Sequence, residues 1–369
     1  MNETVMPAAD IAIIGAGMAG ASLAAEIGDA AKVILIEGEA RPGYHSTGRS
    51  AAFWSETYGG PAVQPLTTAS HDYLAEHGFL NPRGAIHLAD AAGMAAIDAL
   101  VRDHGDAVRL NRLSPAELAE TMKGLRDGVA GGLAEPSCSD IDVAGLHAHY
   151  LARARRSGAQ LIVDARVHGL TRAEGLWRIS TTAGELRAAT IVNAAGAWAG
   201  EIAALADAQP IAITPYRRTV IQLEVDPPAP ASMPLIMDAA EHYYFKPEAG
   251  GRIWLSPHDE TLSAPCDAAP EELDIAIAID RFEKVVDWRI VRKERAWAGL
   301  RSFAPDRVPV YGFDLVAPRF FWFAGQGGFG IQTAPAAAMI GAALLLGRDV
   351  PAVARDIDTG RYGPGRFGS

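Results

Sequence analysis

Three glycines and an acid are the first residues here whose spacing implies chemistry. Gly15, Gly17 and Gly20 form G-x-G-x-x-G, and Glu37 stands 22 residues after the first of them. An apolar run, Asp10 to Ile14, precedes the triplet and reads as a strand buried on both faces. In such a unit the first glycine permits a tight turn and the second lets backbone approach a pyrophosphate. The third lets the helix pack on the strand. Met18 and Ala19 open an alanine- and leucine-rich run to Ile27, so a helix with its positive end toward the phosphates is expected. Lys32 to Ile36 is a second strand, closed by Glu37 and Gly38. An acid at that point accepts hydrogen bonds from both ribose hydroxyls and repels a 2′-phosphate. The expectation is a dinucleotide site for FAD or NAD, not NADP.

Two later stretches repeat this logic. Thr190 to Trp198 is an apolar run meeting Ala195 and Gly196, and Phe320 to Ala324 runs into Gly325-Gln-Gly-Gly-Phe-Gly330 before an apolar helix to Leu346. Small residues are needed where backbone must come close to a ligand. Residues 40–60 are loop-like in composition yet carry His45, Arg49, Phe53, Trp54 and Tyr58, and long loops of this kind are usually functional. Ser50, Ala51 and Ala52 are expected to start a helix whose free N–H groups meet phosphate or the flavin edge.

The remaining elements must hold these turns together. Helices are expected over Pro65–His77, across residues 90–125 with a start at Ser114-Pro115, over Val143–Arg156 and over Pro270–Val286. Pro82 to Leu88 alternates as a strand that puts Arg83, Ala85 and His87 on one face. Gln160–Val163 and Ala165–Leu170 are strand-like, and Trp177–Thr182 with Glu185–Ala188 reads as a hairpin. Between Pro210 and about Gly299, strand-like runs at Arg217–Val225, Tyr243–Lys246 and Arg252–Ser256 suggest one antiparallel sheet inserted in a nucleotide domain. His104 is expected to be solvated, and His147 and His149, two apart, cannot share a helix face as paired metal ligands. No metal site is expected.

A chain of 369 residues suggests two domains, or one large domain carrying an insert. The formal charge of −11 argues against nucleic acid as a partner, although local arginines can still hold a small anion. Cys138 and Cys266 are the only cysteines, far apart, and are expected to be packing residues. No secretory signal fits the first residues, and Ala334–Leu346 is too short for the roughly 18–20 residues of a membrane span. A cytoplasmic protein, not integral to a membrane, is the expectation.

Taken together, Asp10–Glu37, Ile191–Trp198 and Gly325–Thr333 resemble the D-amino acid oxidase superfamily of FAD enzymes. Within it, the Pro42–Ala52 loop, Tyr244-Phe-Lys-Pro247, Trp297–Phe303 and Gln326–Thr333 are most similar to the bacterial FAD-dependent D-arginine dehydrogenases. The resemblance implies an α/β fold: a Rossmann-type FAD-binding domain of residues 1–78, 138–208 and 304–369, with an inserted antiparallel-sheet substrate domain of residues 79–137 and 209–303. It implies noncovalent FAD, with His45 in contact where some relatives attach the flavin covalently. Thr47, Ser50, Ala51, Ala52, Val167, Ala195, Gly196, Gly327, Gly328, Gly330, Ile331, Gln332 and Thr333 would complete the FAD site.

Oxidising an amino acid moves a hydride from Cα to the flavin, so the carboxylate must be clamped to aim that C–H bond. The resemblance assigns this to Arg301, Arg218 and Tyr244, and places Tyr58 near the amine. Phe53, Ser55, Ala85, His87, Leu235, Met237, Gly328 and Gln332 would line the substrate pocket. Two positions depart from the family pattern: Phe53 stands for a histidine, and Ala85 for a glutamate that binds a cationic side chain. Both changes suggest a drier, less anionic pocket. The reading at this point is oxidative deamination of neutral or hydrophobic D-amino acids, with a 2-hydroxy acid or N-methyl amino acid (sarcosine- or glycine-type) substrate as the alternative. No residue stands out as a general base, and the electron acceptor (quinone, protein or O2) stays open.

Overall fold

A computed structural model describes residues 8–368. The expected opening unit is present: strand Ala8–Ile14, helix Met18–Ile27 and strand Val33–Ile36, the two strands parallel and in register from Ile11 opposite Val33. These strands belong to an eight-stranded sheet, with Gln160–Ile162 outside Val33–Ile36 and Gly184–Asn193 on the other side of Ala8–Ile14. Phe320–Ala324 pairs parallel with Gly184–Asn193. Helices Met18–Ile27, Val143–Arg156 and Ala334–Leu346 contribute to the apolar layer on one face, where Ile13, Leu35, Phe321 and Phe323 are buried.

Gly184–Asn193 is one continuous strand, not a hairpin arm followed by a separate strand. Ala188 sits opposite Trp177 on its antiparallel side and opposite Ala9 on its parallel side, so the two pairings overlap and leave no break.

The second sheet has ten strands. Its centre is a long antiparallel ribbon of Thr214–Asp226 and Arg289–Phe303. From Thr214–Asp226 the order runs through Arg252–Ser256, Tyr244–Glu248, Leu235–Asp238, Ala85–Asp90 and Val129–Glu135. It is not wholly antiparallel: Leu235–Asp238 runs parallel to Ala85–Asp90. Cross-strand partners share a face and alternate residues switch it. One face therefore carries Ile86, Ile236, Phe245, Leu255 and Ile221, which pack with Ala278 and Phe282 of helix Glu272–Val285. The other face carries Ala85, His87, Leu235, Met237, Tyr244, Arg218 and Arg301. The apolar face is the anchor, and the remaining face is left free for chemistry.

Four local expectations fail. No helix begins at Ser50–Ala52; Phe53–Trp54 pairs as a short strand with Ser139–Ile141, and the helix starts at Gln64. Arg83 does not share the face of Ala85 and His87, because the strand starts at Ala85 after Gly84 turns at φ 74°. The Arg83 guanidinium instead pairs with Asp140. His104 is buried, not solvated, and that burial pulls its pKa below the usual imidazole value. Cys138 packs inside, but Cys266 is exposed. Residues 90–125 form two helices, Met94–His104 and Pro115–Thr121, the latter begun by a Ser114–Glu117 capping box.

Candidate active site

A cleft of about 310 Å3 lies along the ends of the parallel strands, where open α/β sheets bind their ligands. The glycines shape it by what they exclude. Gly15 turns at φ 101°, and a Cβ there would stand 2.4 Å from the Ala194 carbonyl oxygen. A Cβ on Gly20 would stand 1.9 Å from the Gly15 carbonyl oxygen. Glu37 braces the turn from within: Oε2 accepts from the Ala16 amide at 3.0 Å, and Oε1 from that of Glu39 at 3.1 Å. The Met18 amide donates to Thr47 Oγ1 at 3.0 Å, which ties the helix start to the loop. His147 Nε2 donates to the Ala16 carbonyl at 2.8 Å; burial lowers its pKa, so it serves as a neutral strut.

Gly15, Gly17, Met18, Ala19, Glu37, Gly38, His45, Thr47, Ser50, Val167, Ala195, Gly196, Gly327, Gly328, Gly330 and Ile331 all line this cleft. His45 Nε2 meets Glu39 Oε1 at 2.9 Å, and its ring lies 4.6 Å from that of Trp198. Gly20 and Thr333 lie outside the lining; Thr333 Oγ1 donates to the Phe329 carbonyl at 2.9 Å in the last turn before the helix.

A second, smaller cavity of about 20 Å3 adjoins the cleft. Ser50, Arg301, Gly328 and Ile331 line both, so the two spaces lie side by side and share these walls. Ala51, Ala52, Phe53, Tyr58, Arg218, Tyr244 and Gln332 complete the walls. Arg218 stands opposite Gly299, and Arg301 opposite Tyr216, so the two arginines are diagonal neighbours on one face of the ribbon. Arg217 points the other way, to Asp274 at 2.9 Å and to Glu271.

Both cavity arginines are buried. Arg218 donates from Nε to the Asp259 carbonyl at 2.8 Å and from Nη2 to Glu260 at 3.2 Å. Among the described residues no carboxylate comes within ion-pair distance of Arg301. Burial, and then the neighbouring Arg218 charge, pull the Arg301 pKa below the ordinary guanidinium value. A buried cation facing another without its own counter-ion is a site for an anion. Burial raises the Tyr244 pKa, which keeps its hydroxyl a hydrogen-bond donor.

The other expected pocket residues divide. Met237 and His87 line a third space, also about 20 Å3, that shares Phe53, Tyr58 and Tyr244 with the arginine cavity. Ser55, Ala85 and Leu235 line none of these spaces. The Ser55 hydroxyl donates to Glu135 at 2.9 Å, and Ala85 and Leu235 are in the apolar cluster behind Phe53. The Gln332 amide is held by Ser55, Tyr58 and Thr67, so it fixes the cavity wall.

Glu135 escaped the sequence reading. Fully buried, it also accepts from Thr57 Oγ1 at 2.7 Å and the Glu56 amide at 2.7 Å, and faces His87 Nε2 at 3.6 Å. The interior behind Phe53 is therefore not free of negative charge, contrary to what Ala85 alone suggests. Only the strand pairing reveals this, and no motif marks it.

The chain matches known proteins over most of its length. Residues 10–344 match the family described as FAD dependent oxidoreductase. This chain belongs to that family. Mouse mitochondrial dimethylglycine dehydrogenase is 26% identical over 392 residues, which cover 96% of this chain and 44% of that protein. The hydrogen cyanide synthase subunit HcnC of Pseudomonas aeruginosa is 29% identical over 171 residues, 44% of this chain and 38% of that one. This FAD dependent oxidoreductase thus spans less than half the length of either relative. Among solved structures, glycine oxidase from Geobacillus kaustophilus superposes with a TM-score of 0.82 at 22% identity, covering 97% of this chain and 98% of that one. L-proline dehydrogenase from P. horikoshii gives 0.84 at 22%, covering 98% of both. The fold is theirs, and FAD is the cofactor. The narrower resemblance to D-arginine dehydrogenases gains no support from these relatives. Among the described residues, no helix is long and apolar enough to cross a membrane, and no metal-holding cluster occurs.

Proposed function

We propose that the protein oxidises a small glycine-type amino acid, free or N-alkylated, at the carbon next to the carboxylate. The observation that carries this is Arg301, a buried guanidinium without a carboxylate partner among the described residues, lining both the small cavity and the FAD cleft beside it. A substrate carboxylate supplies the missing charge. Arg301 and Arg218 offer planar paired donors, and Tyr244 a hydroxyl on the same face, which together would hold a carboxylate beside the cleft. FAD, when bound, supplies the hydride acceptor.

Phe53 and Tyr58, with ring centroids 5.3 Å apart, wall the cavity with aromatic surface, which favours a small substrate. Tyr58 points its hydroxyl at Gly328, where a Cβ would stand 2.2 Å from that oxygen, so only glycine leaves room beside the cleft. Relatives and neighbours in fold that act on dimethylglycine, glycine or proline support the same class. These observations favour it over the neutral D-amino acids expected from Phe53 and Ala85 alone.

Anaerobic mixing of the FAD-loaded protein with glycine, sarcosine, N,N-dimethylglycine, L-proline, D-alanine and a 2-hydroxy acid tests the proposal. Flavin bleaching by one or more of the first four is expected. Bleaching by D-alanine or the hydroxy acid alone overturns it.

A further inference from the structure

The amine of such a substrate is protonated in water, and a C–H bond gives up hydride readily only next to a neutral nitrogen lone pair. A proton acceptor is therefore required, and neither clamp arginine can act as one. The space beyond Tyr58 and Tyr244 contains a residue built for that purpose. His258 Nδ1 lies 2.6 Å from the Glu241 carbonyl oxygen. A carbonyl can only accept, so Nδ1 carries the proton and Nε2 of the neutral ring is left with a free lone pair. Both ends of this bond sit on left-handed backbone, φ 62° at Glu241 and 53° at His258, a conformation that side-chain-bearing residues adopt only when the surroundings enforce it.

Resting on the function proposed above, we infer that His258 accepts the amine proton of the bound substrate. The ring lies 6.2 Å from that of Tyr58 and 5.9 Å from that of Tyr244, and these two tyrosines line both the clamp cavity and the space that holds His258. That space, about 20 Å3, has room for a water molecule, to which we assign the relay between the amine and Nε2. In the transfer one N–H bond of the ammonium breaks and one Nε2–H bond forms. The imidazole becomes imidazolium, and the substrate keeps the electron pair that its oxidation requires.

The charges around the ring set when this happens. Arg218 and Arg301 face it from the central ribbon, and Arg307 from the turn after it; with burial they hold its pKa well below the usual imidazole value. His258 is therefore a free base in the empty enzyme across the neutral range. Glu260 is bound to Arg218 and Arg307, and Asp259 to Thr219, so neither carboxylate is free to hold the imidazolium. Glu241 and Asp238 border the same space, and His87 faces Glu135. The substrate carboxylate cancels part of the guanidinium charge when it binds, and basicity at His258 rises only then. Acceptor strength is thus coupled to occupancy of the clamp.

The test is the anaerobic rate of flavin reduction against pH for the wild type, His258→Asn and His258→Ala, with sarcosine or whichever amine the panel identifies. Asparagine keeps the donor to Glu241 and removes the base. The wild type should lose rate on its acid limb, and H258N should be slower by roughly 10²-fold with that limb displaced or gone. Added imidazole should restore part of the H258A rate. Binding of acetate, followed by the flavin spectrum, should be unchanged in both variants, since the clamp is intact. An unaltered rate and pH profile in H258N overturns the inference, and so does a loss that imidazole fails to rescue while acetate binding is also lost. If no amine reduces the wild-type flavin, the proposed function fails first and the inference falls with it.

Discussion

Ala85 and Glu135 stand directly opposite each other on adjacent antiparallel strands, so their Cβ atoms point to the same side of the sheet. Where one strand shows a methyl group, its neighbour holds a carboxylate. Glu135 is kept ionised by His87, Thr57 and Ser55, which outweigh the burial that acts to raise its pKa.

This pairing predicts the outcome of Ala85→Glu. The new carboxylate would enter an apolar, fully packed position facing Glu135, and two buried like charges cannot both be satisfied there. A loss on the order of 3 kcal/mol or more is expected, read as a lower urea midpoint. Gain of activity on D-arginine without loss of stability would show that the residue borders the substrate.

Arg301→Met should leave flavin content intact and abolish tight carboxylate binding. Removing one partner of a buried charge-assisted pair costs about 2–5 kcal/mol, which is roughly 30-fold to several-thousand-fold in kcat/KM. Steady-state kinetics with the panel's best substrate measures it. A change under about tenfold would place the carboxylate elsewhere.

Gly15→Ala should yield a folded chain short of flavin. The backbone there is left-handed, and the added Cβ meets the Ala194 carbonyl at 2.4 Å, so the turn must open where the pyrophosphate binds. Visible flavin absorbance per chain, beside an unchanged far-UV circular dichroism spectrum, reports this.

Acid should destabilise the protein before any carboxylate titrates. His104, His147 and His258 all have pKa values lowered mainly by burial. The unfolded chain therefore binds protons that the folded chain refuses as pH falls below about 6.5. The stabilisation is complete above that value and declines as pH drops toward the depressed folded values. Glu135, whose pKa is also lowered, adds to the loss further into the acid range. Urea midpoints should fall between about pH 7.5 and about pH 5; a flat profile would contradict the lowered pKa values of these rings.

The FAD half of this protein is legible in its sequence because it depends on local chemistry. Helices Met18–Ile27, Val143–Arg156 and Ala334–Leu346 and strand Phe320–Ala324 fall at the bounds that periodicity and glycine placement predict. The substrate side depends on which strands become neighbours, and hydrophobic patterning does not encode that. Glu135 acquires meaning only once Val129–Glu135 pairs with Ala85–Asp90. His258 acquires it only when its loop folds back on Glu241. His104 was misread for the same reason: charged sequence neighbours say little about the surface that a helix lays against a sheet.

The two cavity arginines share one ribbon, whereas the other walls of their cavity come from elsewhere: Phe53 and Tyr58 from the segment around a short strand, Gly328 from the last glycine turn. On the function proposed here, recognition of the invariant part of a substrate is thus separated, in the covalent chain, from recognition of its variable part. Substitutions at Phe53 or Tyr58 would then retune selectivity without moving either guanidinium. A scaffold arranged in this way can diversify one wall at a time while the group common to every amino acid stays anchored.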